Sequence, residues 1–125
     1  MKLRIRGDSI RIRLKVGEVQ RIAAGESIVE TTHFPGSTLT YSVQTGGDGA
    51  MAAQFHDDHL VVRLPMADVE RWAGTDEVSL FSEQDLGEAG TLALLVEKDF
   101  KCLEPGHHRD CADDEDTYAH PGAQH

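Results

Sequence analysis

Cys102, His107, His108 and Cys111 are the residues with the clearest donor chemistry in this sequence. Thiolates and imidazoles suit zinc, copper or nickel, so C-x4-HH-x2-C is a candidate transition-metal cluster, with His120 and His125 beyond it. The spacing is not that of a zinc finger. The plain alternative is a polar segment rich in His and Cys, because an unfolded cluster must draw its ordering entropy from the metal. His56-Asp57-Asp58-His59 also carries ligand types, but it reads as a hairpin turn in which Asp is ordinary. No serine has nucleophile flanks and no glycine pattern resembles a phosphate loop. No acid-base pair stands out among the 22 acids. The expectation is a non-catalytic protein with no certain cofactor.

A second chemistry is charge. The chain has 125 residues and a net charge of -10, unevenly spread. Residues 1–21 hold seven of the twelve Lys and Arg against Asp8 and Glu18, a balance of +5 that leaves -15 for the rest. Lys2, Arg4, Arg6, Arg11, Arg13 and Lys15 alternate with Leu3, Ile5, Ile10, Ile12 and Leu14. Strand side chains alternate between faces, so paired strands would gather six cations on one surface and the apolar set on the other. Such a face suits phosphates or an acidic protein partner. Its plain reading is a solvated face whose charges discourage edge aggregation.

The elements that carry these residues are written twice. Asp8–Ile28 aligns with Asp58–Val78 at a constant offset of fifty, with identities at Asp8/Asp58, Arg13/Arg63, Leu14/Leu64, Val19/Val69, Arg21/Arg71 and Ala23/Ala73. Like replaces like at Ile10/Leu60, Ile12/Val62, Val16/Met66, Ile22/Trp72 and Ile28/Val78. Within each copy, alternation predicts two strands. Helical spacing of Val16, Val19, Ile22 and Ala23 follows, stopped by Gly25, with Pro65 as the first helical residue of copy two. Two more strands flank Pro35-Gly36, and their counterparts flank Gly87. The fold class expected is α+β, mostly β. Two tandem β-β-α-β-β repeats, 1–45 and 51–98, form one pseudo-two-fold barrel or sandwich, joined by the glycine-rich TGGDGA.

That order, with Arg6-Gly7-Asp8-Ser9 as a turn and Arg63-Leu64-Pro65 opening a helix before Asp76-Glu77-Val78, resembles the swapped-hairpin family of AbrB and MazE type. The resemblance covers residues 1–98. It implies two interlaced halves, here supplied by one chain as a monomeric pseudo-dimer or by a homodimer. It also implies a DNA-binding regulator or an antitoxin that holds its toxin with an acidic C-terminal segment. The ending VEKDFKCL resembles that of an uncharacterised bacterial family.

Copy two argues against a two-fold DNA reader. Its outward positions, Gln54, His56, Val61, Arg63 and Pro65, include one firm cation. The segment 99–125 is acidic, and from Cys102 onward it lacks Ile, Val, Phe, Met and Trp, too little apolar area to fold alone. Its run Asp113, Asp114, Glu115, Asp116 is either solvated or docked on the basic face. No apolar run reaches the ~18 residues of a membrane span and no signal sequence is present, so the expected setting is cytoplasmic. The expected role is a small binding or accessory protein with a protein partner, with DNA as the alternative.

The metal reading has a direct check. Protein purified under reducing conditions should carry about one equivalent of zinc, copper or nickel. A Cys102→Ser/Cys111→Ser variant should lose it. Metal-free protein that takes up no added zinc removes the site.

Overall fold

The structure, a computed structural model, describes residues 1–47 and 49–99. Each repeat lays down a hairpin, a short helix and a second hairpin. The first contributes β1 (Lys2–Ile5), β2 (Ser9–Leu14), α1 (Val16–Ala23), β3 (Ile28–Phe34) and β4 (Ser37–Thr45). The second contributes β5 (Ala52–His56), β6 (His59–Leu64), α2 (Met66–Gly74), β7 (Ser79–Asp85) and β8 (Thr91–Lys98). A turn of 3-10 helix at Gly87–Ala89 links the last two strands.

Local chemistry explains the breaks. Gly36 takes φ +82° in the Pro35-Gly36 turn, a conformation that glycine adopts without steric cost. Asp57 and Asp58 both lie in the left-handed region, φ 52° and 60°, between the paired His56 and His59. Such two-residue turns match strand twist, and Asp tolerates them better than most residues. α1 starts at Lys15, whose backbone N–H donates to Glu18 Oε1 at 2.9 Å. The same carboxylate takes the Met1 amino group at 2.7 Å on Oε2. Pro65 caps α2 from one position outside it, and it is buried rather than outward-facing.

The repeats then exchange hairpins. One four-stranded sheet runs β1-β2-β8-β7 and the other β3-β4-β6-β5. Each sheet takes one hairpin from each repeat, joined by a parallel pair, β2 with β8 or β4 with β6. The two sheets form a sandwich and not a closed barrel. Side chains bridge its seams. Gln84 accepts from the Ala53 N–H at 2.7 Å and donates to the Ala53 carbonyl at 3.1 Å, and Ser82 donates to the Met51 carbonyl at 2.8 Å. Across the other seam the Met1 amino group meets Glu30 at 3.0 Å.

The core lies between the sheets and under the helices. Ile10, Ile12 and Leu14 face Leu60, Val62 and Leu64 from the other repeat, with Val43 and Val96 beside them. α1 and α2 pack together and bury Val19, Ile22, Val69 and Trp72. Trp72 stands where α1 has Ile22, and its indole N–H donates to the Val78 carbonyl at 3.0 Å. Between that indole and the matching strand residue the second repeat has two residues more than the first, Trp72 to Leu80 against Ile22 to Ile28. Ile28 pairs Val43 while Leu80 pairs Val96, so Leu80, and not Val78, is the counterpart of Ile28. Ile5 also departs from expectation. It ends its strand at the sandwich mouth and is 58% exposed.

Lys98 is buried at the end of β8, and its ammonium donates to the Thr75 carbonyl at 2.8 Å, at the C-terminus of α2. Burial pushes its pKa down, while Asp76 and Glu77 pull it up. Among the described residues, no helix is long and apolar enough to cross a membrane.

Truncating the indole should leave a cavity under both helices. Trp72→Ala is expected to cost about 3–5 kcal/mol. Urea titration checks this: a loss under about 1 kcal/mol would mean the site collapses around the smaller side chain.

Candidate functional site

The outward face of the β1-β2-β8-β7 sheet is built row by row from the strand register. Lys2 lies opposite Arg13, Arg13 opposite Glu97, and Glu97 opposite Ser79. The next row reads Arg4, Arg11, Leu95, Phe81. Lys2, Arg4, Arg11 and Arg13 line a half-open recess of about 200 Å³. Register therefore brings four of the six predicted cations together. Arg6 opens the turn beyond β1. Lys15 lies past β2, at the N-cap of α1.

This is not a bare cationic surface. Glu97 Oε1 sits between two arginines, accepting from Arg11 Nε at 2.8 Å and Arg13 Nε at 2.7 Å, with Arg11 Nη2 at 2.6 Å. Lys2 Nζ is 3.0 Å from Asp99 Oδ2. Two carboxylates, one in β8 and one just past its end, thus offset part of the charge of the first repeat. Arg4 and Arg6 are exposed and make no ion pair with a described residue. The unbalanced positive charge therefore concentrates at the outer strand and its turn.

The sequence pattern did not single out Phe81. It is 63% exposed in the middle of edge strand β7, beside Leu95 and in line with Arg11 and Arg4. Its signal is its position in EVSLFSE: Leu80 takes the core side, so its neighbour must face out. Cations crowd the β1-β2 half of the face, while on the β8-β7 half Phe81 and Leu95 form an apolar spot flanked by Glu97 and the exposed Glu83.

The pseudo-symmetric face on the other sheet differs. Gln54, His56, Asp57, His59 and Val61 line a recess of about 320 Å³ there. Gln54 stands for Arg4, His56 for Arg6 and Val61 for Arg11. Arg63 donates to Gln54 at 3.2 Å. Ser42 Oγ lies 2.9 Å from His59 Nε2, a pair visible only through the β4–β6 register. Ser42 is 2% exposed, so its hydroxyl is closed to a substrate. No group of three His, Cys, Asp or Glu among the described residues could hold a metal ion, the His56–His59 turn included. The Cys102, His107, His108 and Cys111 cluster and the 113–116 acid run lie outside the described residues.

A family model described as a family of unknown function, DUF7009, matches residues 1–122. The chain belongs to that family. The DUF7009 match covers both repeats and continues past the last described strand, so the acidic segment falls within it. No curated protein and no solved structure matches the chain.

Removing the Glu97 charge should free Arg11 and Arg13. Glu97→Gln is expected to cost about 1 kcal/mol, because both arginines are partly solvated. It should also raise the salt needed to elute the protein from immobilised heparin. Unchanged elution would mean that Arg11 and Arg13 do not reach polyanions from this face.

Proposed function

We propose that this is a small, non-catalytic, cytoplasmic binding protein that engages an acidic protein segment through the outward face of the β1-β2-β8-β7 sheet. The observation that carries the reading is the row Arg4, Arg11, Leu95, Phe81, in which cations lead directly into an exposed aromatic. Guanidinium groups bind carboxylates in fixed geometry, and Glu97 already uses two of them so. Phe81 and Leu95 add apolar area of the kind that anchors interfaces. The net charge of -10 opposes approach of any polyanion, most strongly of a long duplex that extends beyond the basic face, and less of a short peptide that fits within it.

A second reading, a DNA-binding regulator or antitoxin of swapped-hairpin type, has one observation in its favour: the exchange of hairpins between repeats. The unequal faces count against it, because the surface equivalent to the basic recess keeps Arg63 alone among cations.

One titration separates the two. A fluorescent peptide of alternating Asp and Glu with one Tyr and a duplex oligonucleotide of equal charge are each added to the full chain. The peptide should bind, and Arg4→Glu/Arg6→Glu should weaken it by about tenfold or more. Phe81→Ser should weaken it at high salt, where charge pairs are screened. Binding of the duplex alone, with loss on Arg4→Glu/Arg6→Glu, would transfer the function to the second reading.

A further inference from the structure

We propose that the occupant of this face in the isolated protein is the chain's own segment 113–118, Asp-Asp-Glu-Asp-Thr-Tyr, which an external acidic partner must displace. The inference rests on the binding reading above and names the ligand.

Three observations converge on it. First, the end of β8 and the residue after it already place acids on the cations of the first repeat. Glu97 holds Arg11 and Arg13, and Asp99 holds Lys2. The last described residue, Asp99, is anchored at this face, with its N–H bonded to the Leu14 carbonyl at 2.9 Å and its carboxylate on Lys2. Second, Arg4 and Arg6 remain without an ion pair to a described residue, and the densest acid run in the sequence is Asp113 to Asp116. Third, the lengths agree. Three strand spacings separate Arg4 from Phe81, about 14 Å. Four residues of extended chain separate Asp114 from Tyr118, about 13 Å. Acids over Arg4 therefore bring the Tyr118 ring to Phe81 and Leu95.

Reach is sufficient. Thirteen residues lie between Asp99 and Asp113, and fourteen Cα-to-Cα steps cover about 20 Å even without extension. Lys2 and Arg4 lie within that radius of Asp99. A tether this short supplies an effective concentration in the millimolar range, enough to favour a weak intramolecular contact over a dilute partner. The family match that extends to residue 122 treats the segment and the fold as one unit.

The test uses the full chain with Cys102→Ser, so that Cys111 carries a nitroxide two residues before the acid run. At about 0.02 M salt, amide signals of residues 2–6 and 11–13 should be attenuated and those of 52–56 and 61–63 spared; about 0.5 M salt should restore them. Neutralising the run (Asp113→Asn, Asp114→Asn, Glu115→Gln, Asp116→Asn) should abolish the effect. It should also tighten binding of the fluorescent acidic peptide by about tenfold. Equal attenuation of both sheets, or attenuation unmoved by salt and neutralisation, overturns the proposal. So does attenuation that arises between labelled and unlabelled chains, which would assign the face to a second copy. Peptide binding that is equal in both chains but lost in Arg4→Glu/Arg6→Glu overturns the tail contact and leaves the binding reading standing. Peptide that binds neither chain overturns both.

Discussion

The structure depends on two parallel strand junctions, β2 with β8 and β4 with β6. Each repeat alone owns two separate hairpins, and a two-stranded hairpin is marginal in water. Pairing across the repeats turns four such hairpins into two four-stranded sheets with a shared interior. The buried Leu14 and Leu64 end the two junction strands, directly before the helices. The helices then cover the open end of the sandwich, and Trp72 fills the space between them and the sheets. The candidate site takes its two halves from separate repeats and is joined at the first junction, which sets Arg13 beside Glu97 and Arg11 beside Leu95.

The same junction makes the two faces unequal. In a symmetric homodimer, a substitution changes both halves at once. A tandem chain writes each position once, so one face can turn cationic and aromatic while its counterpart keeps Gln, His and Val. Counter-ions follow the same logic. Glu97 answers the arginines, and the equivalent position on the other sheet is the neutral Gln44, opposite Arg63. The Ser42–His59 contact then closes a surface that has little charge to satisfy.

Much of the local structure is legible in the sequence, because period and turn chemistry are local. Leu3, Ile10, Ile12 and Leu14 announce their strands, Val19 and Ile22 their helix, and Pro35-Gly36 its turn. The exchange of hairpins is not legible in composition or period. A repeat defines a unit but not which unit its strands will join, and that expectation comes only through the resemblance to swapped-hairpin proteins. The charge balance is hidden for the same reason. Glu97 lies 86 residues from Arg11 and 84 from Arg13, so no window of sequence reveals the pairing. A constant offset of fifty misaligns Leu80, because the second repeat carries two extra residues between Trp72 and that strand position. Strand parity assigns Pro65 to the surface, but the strand ends at Leu64 and parity ends with it.

The contact between Lys2 and Asp99 has a mechanical meaning. β1 runs antiparallel to β2, and β2 runs parallel to β8, so the beginning of β1 and the end of β8 lie at the same end of one sheet. Tension drawn through these two points acts across the ladder, not along it. Backbone bonds then break rung by rung instead of resisting together in shear. The strand that yields from the Asp99 side is β8, which alone links β1-β2 to β7 in that sheet. Drawn apart at these two ends, the protein would open from this side, and the β2–β8 junction between the repeats would be among the first contacts to separate.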